Sequence, residues 1–161
     1  MTKQWTAADI PSQAGRRVLI TGANSGIGYM AALKLARKGA TLLLACRDRA
    51  RGEAAMARLH SEAPGAPLEL VLLDLASLAS VREVAAQELE RGLPLDLLIN
   101  NAGVMAPSKR QETKDGYELQ FGTNVLGHFA LTGLLMPALE RAAAKMVSTK
   151  RPAHGHPASG S

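Results

Sequence analysis

The segment Thr21-Gly22-Ala23-Asn24-Ser25-Gly26-Ile27-Gly28 joins two runs of different character. The apolar run Arg17–Ile20 precedes it, and a helical pattern, Tyr29–Ala36, follows it, so the glycines occupy a turn from a strand to a helix. Glycine allows close backbone approach to a ligand, and the free N–H groups at a helix start attract an anion such as a pyrophosphate. The spacing G-x-x-x-G-x-G differs from the common G-x-G-x-x-G, and glycine also marks ordinary loops, so this turn alone is weak evidence for a nucleotide site.

Short apolar runs alternate with helical patterns along the first hundred residues. Four runs predict strands buried on both faces of a parallel sheet, at Arg17–Thr21, Ala40–Cys46, Leu68–Leu73 and Leu95–Asn100. Helices are predicted between them, at about 27–38, 49–61 and 77–90. Right-handed crossovers then give a doubly wound α/β sheet with strand order 3-2-1-4. A ligand is expected beyond the carboxyl ends of strands 1 and 4, where that order reverses.

The chain changes character after strand 4. A polar loop over 107–116 precedes a long predicted helix, Tyr117–Leu139, whose apolar residues cover more than one stripe and require partners on two sides. Its glycines, which would let another backbone come close, are Gly122, Gly127 and Gly133. From Ala142 the sequence is rich in alanine and basic residues, and then in proline and glycine. We expect one domain over residues 1–141 and a disordered basic tail over 142–161.

Composition excludes several classes of protein. With 161 residues, 47% of them hydrophobic, the chain has the size of one globular domain, and its 3% aromatic content disfavours a base-stacking surface for nucleic acid. The single cysteine, Cys46, excludes an internal disulfide, and with four scattered histidines it cannot assemble a metal cluster, so no metal site is predicted. No apolar leader opens the chain, and no window reaches the roughly 20 apolar residues needed to span a bilayer. A cytoplasmic protein without a membrane partner is expected.

Charge is unevenly distributed along the chain. Residues 1–60 hold ten Lys/Arg against three Asp/Glu, residues 61–140 hold five against eleven, and the remaining residues add four basic side chains. The basic part contains the glycine turn, and a field of this sign would concentrate an anionic ligand such as a polyphosphate cofactor. A solvated basic face without a partner would have the same composition. Nucleic-acid binding is not expected, because no helix has a clustered basic stripe.

Four motifs occur in order along the chain: the glycine turn, Asp74-Leu75, Asn100-Asn101-Ala102-Gly103, and Asn124. In order and spacing they resemble the short-chain dehydrogenase/reductase family. Residues 45–48 and 123–129 resemble the branch of retinol dehydrogenases and protochlorophyllide reductases. The resemblance covers about residues 1–140. It implies a Rossmann-like sheet, here stopping after strand 4 and the long helix, and hydride transfer between NAD(P)(H) and a small-molecule alcohol/carbonyl pair.

The resemblance also implies a cofactor site along the carboxyl ends of the strands. In the family the carboxylate at Asp74 accepts a hydrogen bond from the adenine amine, Leu75 covers the ring edge, and the backbone after strand 4 touches the cofactor ribose. From the residues alone, Asp74 is explained equally well as an N-cap before Ser77, and a plain turn would use the same asparagines. The implied cofactor residues of these motifs are Thr21, Gly22, Asn24, Ser25, Gly26, Ile27, Gly28, Asp74, Leu75, Asn101, Ala102 and Gly103.

Arg47 lies at the end of the second strand, roughly 20 residues after the glycine turn. An acidic residue there would bind the ribose 2′-hydroxyl of NAD, whereas an arginine can pair with the 2′-phosphate of NADP. We therefore predict NADP as the cofactor in preference to NAD. The alternative is that Arg47 merely starts a surface helix, since Arg49 and Arg51 lie alongside.

The catalytic set that the resemblance implies is incomplete. In the family Asn124 begins an Asn-Ser-Tyr-Lys set, in which its backbone holds a water in a proton relay that ends at the tyrosine. The Tyr-x-x-x-Lys pair of that set is absent from the sequence, because Tyr29 and Tyr117 are followed four residues later by Leu33 and Phe121. Ser148 is the candidate for the family's serine, with Thr149 as an alternative. His128 and Phe129 are expected to pack the helix.

These observations predict the cofactor-binding half of an NADP-preferring short-chain oxidoreductase, with catalysis by this chain alone in doubt. The alternative is a non-catalytic nucleotide-binding or subunit-interaction protein that uses the long helix as an interface. The isolated chain is expected to be either partly unfolded or self-associated through the edge of strand 4 and that helix, because a sheet that stops there leaves an apolar edge unpaired.

Overall fold

The computed structural model describes residues 4–149, with side chains up to residue 144. Four strands form one parallel sheet in the order β3-β2-β1-β4, which confirms the predicted order. A short 3₁₀ helix, Ala7–Asp9, precedes the sheet, and a π-helical segment, Phe121–Gly127, precedes the last helix. The strands and α-helices, in chain order, are β1 Arg17–Thr21, α1 Gly26–Ala36, β2 Thr41–Cys46, α2 Arg49–Glu62, β3 Leu68–Leu72, α3 Leu78–Glu90, β4 Leu97–Ile99 and α4 His128–Thr149.

The sheet separates two apolar layers because successive side chains of a strand point to opposite faces. In β1, Val18 and Ile20 face the layer formed with α1 and α2, whereas Leu19 faces the layer formed with α3 and α4. The first layer includes Leu33 and Leu59, and the second includes the helical residues Val81, Leu131 and Leu135. The result is the doubly wound α/β arrangement that the alternating pattern predicts.

Burial on both faces, predicted for every strand, holds for the two central strands only. The residues of β1 and β2 beyond the first of each strand are all buried, whereas β4 has just three residues and Leu97 is 41% exposed. Asp96, just before β4, is bonded to β1: its carboxylate accepts the Arg17 amide at 2.9 Å. Within the described chain β4 pairs only with β1, so its second edge has no strand beside it.

The long helix predicted over Tyr117–Leu139 begins later, ends later and changes geometry on the way. Helical turns start at residue 119, pass through the π-helical segment and continue as α4 to Thr149. A tail beginning at Ala142 is therefore wrong for residues 142–149, where a run of strong helix formers extends α4. Residues 150–161, the rest of that predicted tail, lie outside the described residues.

The close backbone approach predicted for all three helix glycines is found at one of them in the described part of the chain. A Cβ at Gly127 would collide with the carbonyl oxygen of Leu75, so this glycine lets the π-helical segment contact the end of the β3 region. At Gly122 the near neighbours are side-chain atoms of Thr113 and Tyr117. At Gly133 a Cβ would meet nothing within 4 Å, so no described element approaches there.

Apolar side chains remain exposed along the same helical region. Phe129 is 79% exposed, so the expectation that it packs the helix is wrong within the described part of the chain. Val125 and Phe121, about one and two turns earlier, are about half exposed. The buried residues of α4, among them Leu131, Leu135 and Ala138, point to the other side, toward α3.

Candidate functional site

A cleft of about 440 Å³ lies across the carboxyl ends of the strands. Its volume is within the range of small-molecule sites, about 300–1,000 Å³. It occupies the predicted position, since its walls come from the loops that follow β1, β2, β3 and β4. Its lining includes the predicted residues Thr21, Gly22, Asn24, Ser25, Ile27, Arg47, Asp74, Leu75, Asn101, Ala102 and Gly103.

The glycine turn after β1 is shaped by tight backbone contacts. Gly22 has a positive φ of 66°, its amide donates to the Ala45 carbonyl at 2.8 Å, and a Cβ on it would stand 2.9 Å from the Cα of Ala102. At Gly28 a Cβ would overlap the Gly22 carbonyl, so only glycine lets α1 start against this turn. Gly26 and Gly28 thus shape the turn from outside the lining.

The first turn of α1 faces the cleft with free amides. Ser25 occupies the N-cap position, but its side chain forms no capping hydrogen bond. The first N–H groups of a helix have no partner within the helix, and together with the helix dipole they attract negative charge. This end of the cleft can therefore receive an anionic group.

Two arginines after β2 line the same cleft. Arg47 and Arg51 belong to the lining, and within residues 4–149 neither guanidinium forms an ion pair. Arg49, between them, lies outside the lining and pairs with Glu53 at 3.6 Å. The neighbouring Asp48 caps α2, its carboxylate accepting the Arg51 amide at 2.9 Å. The cleft thus has two arginines without an anionic partner, while the nearby acidic side chain is engaged with the helix.

Cys46 also lines the cleft, at the end of β2. Burial, followed by the nearby Asp48 carboxylate, raises the pKa of its thiol above the ordinary value. The side chain is therefore a neutral, apolar part of the wall at neutral pH.

Asp74 is not the N-cap of α3. That position belongs to Ser77, whose hydroxyl accepts the Ser80 amide at 3.3 Å. One carboxylate oxygen of Asp74 accepts the Ala76 amide at 3.1 Å, and the other pairs with Lys114 at 3.1 Å. A carboxylate has about four acceptor positions, so capacity for a further donor in the cleft remains.

The turn after β4 is tied to the end of β1. The side chain of Asn101 donates to the Thr21 carbonyl at 2.9 Å, so this asparagine links the ends of two neighbouring strands. The Thr21 hydroxyl accepts the amides of Asn101 and Ala102 at 2.9 and 3.0 Å. The wall of the cleft at Asn101–Gly103 is thereby fixed to the strand that precedes the glycine turn.

Asn124 lies in the π-helical segment, and its side chain is engaged with backbone. Its amide oxygen accepts the Val104 N–H at 2.8 Å, and its amide nitrogen donates to the Val104 carbonyl at 2.9 Å. These two hydrogen bonds make the Asn124 side chain a support for the turn after β4. A catalytic role of this residue would therefore fall to its main-chain groups. Ser148, the other predicted catalytic residue, lies in the last turn of α4, and its side chain lies outside the described residues.

The sequence missed several residues of the lining. Thr123 is buried and its hydroxyl has no hydrogen-bond partner in the described chain. Arg51 could have been found, because it lies in the first turn of the helix that begins just after Arg47. For Thr123 there was no signal, since the π-helical segment decides where it points. The other missed lining residues include Cys46, Asp48 and Val104.

The described part of the chain has neither a metal-binding cluster nor a membrane-spanning helix. Residues 4–149 contain no group of three or more His, Cys, Asp or Glu side chains arranged to hold a metal ion. None of the helices in that range is long and apolar enough to cross a bilayer.

Comparison with known proteins places the chain in a family. A family model described as short chain dehydrogenase matches residues 16–154. Human retinol dehydrogenase 13 is 45% identical over 157 residues, which cover 94% of this chain and 47% of that protein. Among solved structures, an uncharacterized protein from Mycobacterium paratuberculosis matches with a TM-score of 0.73 and 50% identity over 84% of this chain and 47% of that one. RhlG of Pseudomonas aeruginosa, solved as an NADP active-site complex, matches with a TM-score of 0.68 and 32% identity over 81% of this chain and 50% of that one.

These matches confirm the Rossmann-like fold and the resemblance to retinol dehydrogenases that the motifs indicate. The chain spans about half the length of the relatives it matches. With the family model covering most of its length, the chain belongs to the short-chain dehydrogenase/reductase family of oxidoreductases.

Proposed function

We propose that the cleft binds NADP(H) in preference to NAD(H), and that the chain is the cofactor-binding part of an oxidoreductase acting on an alcohol/carbonyl pair. The observation that carries the proposal is the pair Arg47 and Arg51, which line the cleft beside the start of α1 without anionic partners in the described chain. One relative of the same fold, RhlG, was solved with NADP.

The residues present fit the parts of such a cofactor. The free amides at the start of α1 suit the pyrophosphate, and the Asp74 carboxylate has capacity for the adenine amine. Ala102 and Gly103 offer backbone on the opposite wall for a ribose. When bound, the nicotinamide ring would supply the hydride chemistry, and the protein supplies binding and orientation.

Preference for the 2′-phosphate follows from the charges at the end of β2. In NAD-binding sheets of this type an acidic side chain near this position accepts from the ribose 2′-hydroxyl. Here the Asp48 carboxylate is engaged in capping α2, and Arg47, which precedes it, lines the cleft. A phosphate on the ribose would give Arg47 a charge-assisted partner, which a hydroxyl cannot do.

Titration of NADPH and NADH into the purified chain tests the proposal. We expect NADPH to bind more tightly by about 1.5–3 kcal/mol, with the exposure of Arg47 favouring the lower end. Arg47→Ala should remove most of that preference and leave NADH affinity nearly unchanged. Arg49→Ala is the matched control, because Arg49 is a neighbouring arginine outside the lining. Equal affinity of the wild type for both cofactors, or the same loss in both variants, would contradict the proposal.

Proton transfer would need groups other than Asn124. Neither tyrosine of the sequence is followed four residues later by lysine, and the Asn124 side chain is held by Val104. A positioned acid/base contributes about 10²–10⁴-fold to a rate. We therefore propose that this chain alone binds cofactor but turns over alcohols or aldehydes slowly, lacking that contribution.

A second candidate is a nucleotide-binding or subunit-interaction protein without catalysis. The exposed apolar side chains of Phe121, Val125 and Phe129, together with the unpaired edge of β4, favour it. Turnover separates the two candidates. Carbonyl-dependent NADPH oxidation at a rate typical of enzymes, about 1–10³ s⁻¹, would exclude the non-catalytic candidate and show that another group donates the proton.

A further inference from the structure

His128, the first residue of α4, is a buried polar side chain between two parts of the cleft wall. Its Nε2 lies 2.9 Å from the hydroxyl oxygen of Thr21, at the end of β1. Its Nδ1 lies 3.1 Å from the main-chain oxygen of Asn124, in the π-helical segment. One imidazole ring therefore joins the strand that precedes the glycine turn to the segment that holds Asn124.

A count of donors and acceptors assigns the tautomer of the ring. The Thr21 hydroxyl already accepts two amides, which use both of its lone pairs. Its own proton has two acceptors in reach, His128 Nε2 at 2.9 Å and the Ile99 carbonyl at 3.4 Å, and the shorter distance favours the histidine. Nε2 is then an acceptor, so the neutral ring has its proton on Nδ1 and donates it to Asn124. A proton on Nε2 would instead be a third donor directed at a saturated oxygen.

Thr21 and Asn124, the two residues that hold the turn after β4 in place, are both hydrogen-bonded to this ring. At its start the turn is held by the Thr21 hydroxyl through the amides of Asn101 and Ala102. At its end it is held by the Asn124 side chain, which clamps Val104. His128 bonds Thr21 through one ring nitrogen and Asn124 through the other. Its side chain therefore links the two residues that hold the turn.

We propose that His128 is a positioning residue that sets the geometry of the turn Asn101–Val104, and through it the cofactor cleft. Asn101, Ala102, Gly103 and Val104 all line the cleft, whereas His128 does not. The ring acts through its neighbours and touches no ligand. The effect on cofactor affinity rests on the proposed function, but the effect on the turn does not.

Three substitutions separate the two bonds of the ring. His128→Gln places an amide oxygen near the position of Nε2 and can keep the bond to Thr21. His128→Asn places an amide nitrogen near the position of Nδ1 and can keep the bond to Asn124. His128→Phe keeps the ring shape and loses both. Leu131→Ala, in the next turn of α4 and fully buried, lowers stability without touching the network and is the control.

Amide hydrogen exchange, measured residue by residue on the whole chain, reports directly on the hydrogen bonds of the turn. In His128→Phe we expect exchange at Asn101, Ala102 and Val104 to accelerate roughly tenfold relative to β1 and β2, the size of one lost buried hydrogen bond. In His128→Gln the amides of Asn101 and Ala102 should keep the slow exchange of the wild type. In His128→Asn the amide of Val104 should do so. If His128→Phe accelerates these amides no more than Leu131→Ala does, after correction for global stability, the proposal is overturned.

NADPH titration of the same variants gives the second readout. We expect roughly tenfold weaker binding in His128→Phe, the change that one lost buried hydrogen bond would produce, and an intermediate loss in the other two variants. An affinity that follows thermal stability alone, as in Leu131→Ala, would overturn the link to the cleft. A wild type that binds no NADPH would overturn the proposed function instead, and the exchange pattern would still decide the role of His128 in the turn.

Discussion

The two flanks of β1 differ in how completely they bury their apolar residues. On one flank, Leu42, Leu43 and Leu44 of β2 are almost fully buried between the helices of both layers. On the other flank, β4 is three residues long and Leu97 is 41% exposed. The helix near that flank has Phe129 at 79% exposure. The β1/β2 part of the sheet is closed by its own residues, whereas exposed apolar side chains remain on the other flank, which we call the β4/α4 face (Leu97, Phe121, Val125 and Phe129).

That difference has an energetic meaning. Apolar surface contributes about 25 cal/mol per Å² when it is removed from water, so side chains left exposed contribute little to folding. The cleft walls at β1, β2 and the start of α1 rest on buried residues, so we expect the proposed cofactor binding not to depend on whether the β4/α4 face is covered. Stability and association are the properties that this face should control.

The largest expected effect contrasts two neighbouring residues of α4. Leu131→Ala should lower the free energy of unfolding by about 2–5 kcal/mol, because Leu131 is fully buried and its loss leaves a cavity against α3. Phe129→Ala, two residues earlier, should change it by about 0.5 kcal/mol or less. Urea unfolding followed by circular dichroism measures both values. A loss for Phe129→Ala comparable to that for Leu131→Ala would show that the face is covered in solution, since an exposed phenylalanine has little packing to lose.

The central strands β1 and β2 could be predicted from the sequence more accurately than the π-helical segment and the elements beside it. In β1 and β2, continuous apolar runs mark strands buried on both faces, and β1 was predicted to the residue. At the margin the decisive interactions are tertiary. The π-helical segment is held by the clamp from Asn124 to Val104 and by the contact of Gly127 with Leu75, which no local periodicity reports.

The candidate site also has a part that could be predicted from the sequence and a part that could not. The glycine turn and Arg47 follow a strand end, so their positions could be inferred from chain order alone. His128 was expected to pack a helix, and its burial agrees, but its two hydrogen bonds depend on Thr21, 107 residues earlier, and on the unwound Asn124 carbonyl. Thr123 was missed for a related reason, since its side chain points into the cleft wall only because the π-helical segment turns it there.

A smaller effect concerns self-association through the β4/α4 face. If Phe121, Val125 and Phe129 pair with a second copy, Phe129→Glu should raise the dissociation constant at least about tenfold by placing a charge among them. Light scattering coupled to size-exclusion chromatography over a dilution series measures this constant. Ala54→Glu adds the same charge to an exposed position of α2, on the opposite layer, and should change nothing. A wild-type chain that is monomeric at all concentrations would refute self-association and leave the face without a function in this chain.

The smallest effect concerns the hydrogen bonds that join α1 to α2, on the well-buried β2 side of β1. The Tyr29 hydroxyl donates to a carboxylate oxygen of Glu62 at 2.8 Å, and Arg58, which stacks on the Tyr29 ring, donates to the same oxygen at 2.9 Å. The hydrogen bond from Tyr29, and then the hydrogen bond and charge of Arg58, hold the pKa of Glu62 below its ordinary value of 4.5. A carboxyl whose folded pKa is depressed stabilises the fold above its unfolded pKa. That contribution is lost as pH falls below about 4.5 and through the folded pKa.

Glu62→Gln should therefore flatten the decline of stability below about pH 4.5, because glutamine has no proton to take up. Thermal melts from pH 7 to pH 3 on wild type and variant measure the difference. Glu53→Gln is the matched control on the same helix, because Glu53 pairs with Arg49 at an exposed site, with 59% of its side chain accessible. The flattening should be small, since Glu62 is itself partly exposed and solvent screens its charges. An identical pH profile for wild type and Glu62→Gln, or the same flattening in Glu53→Gln, would show that these hydrogen bonds add nothing specific to the β2 side of β1, which would then rest on apolar packing alone.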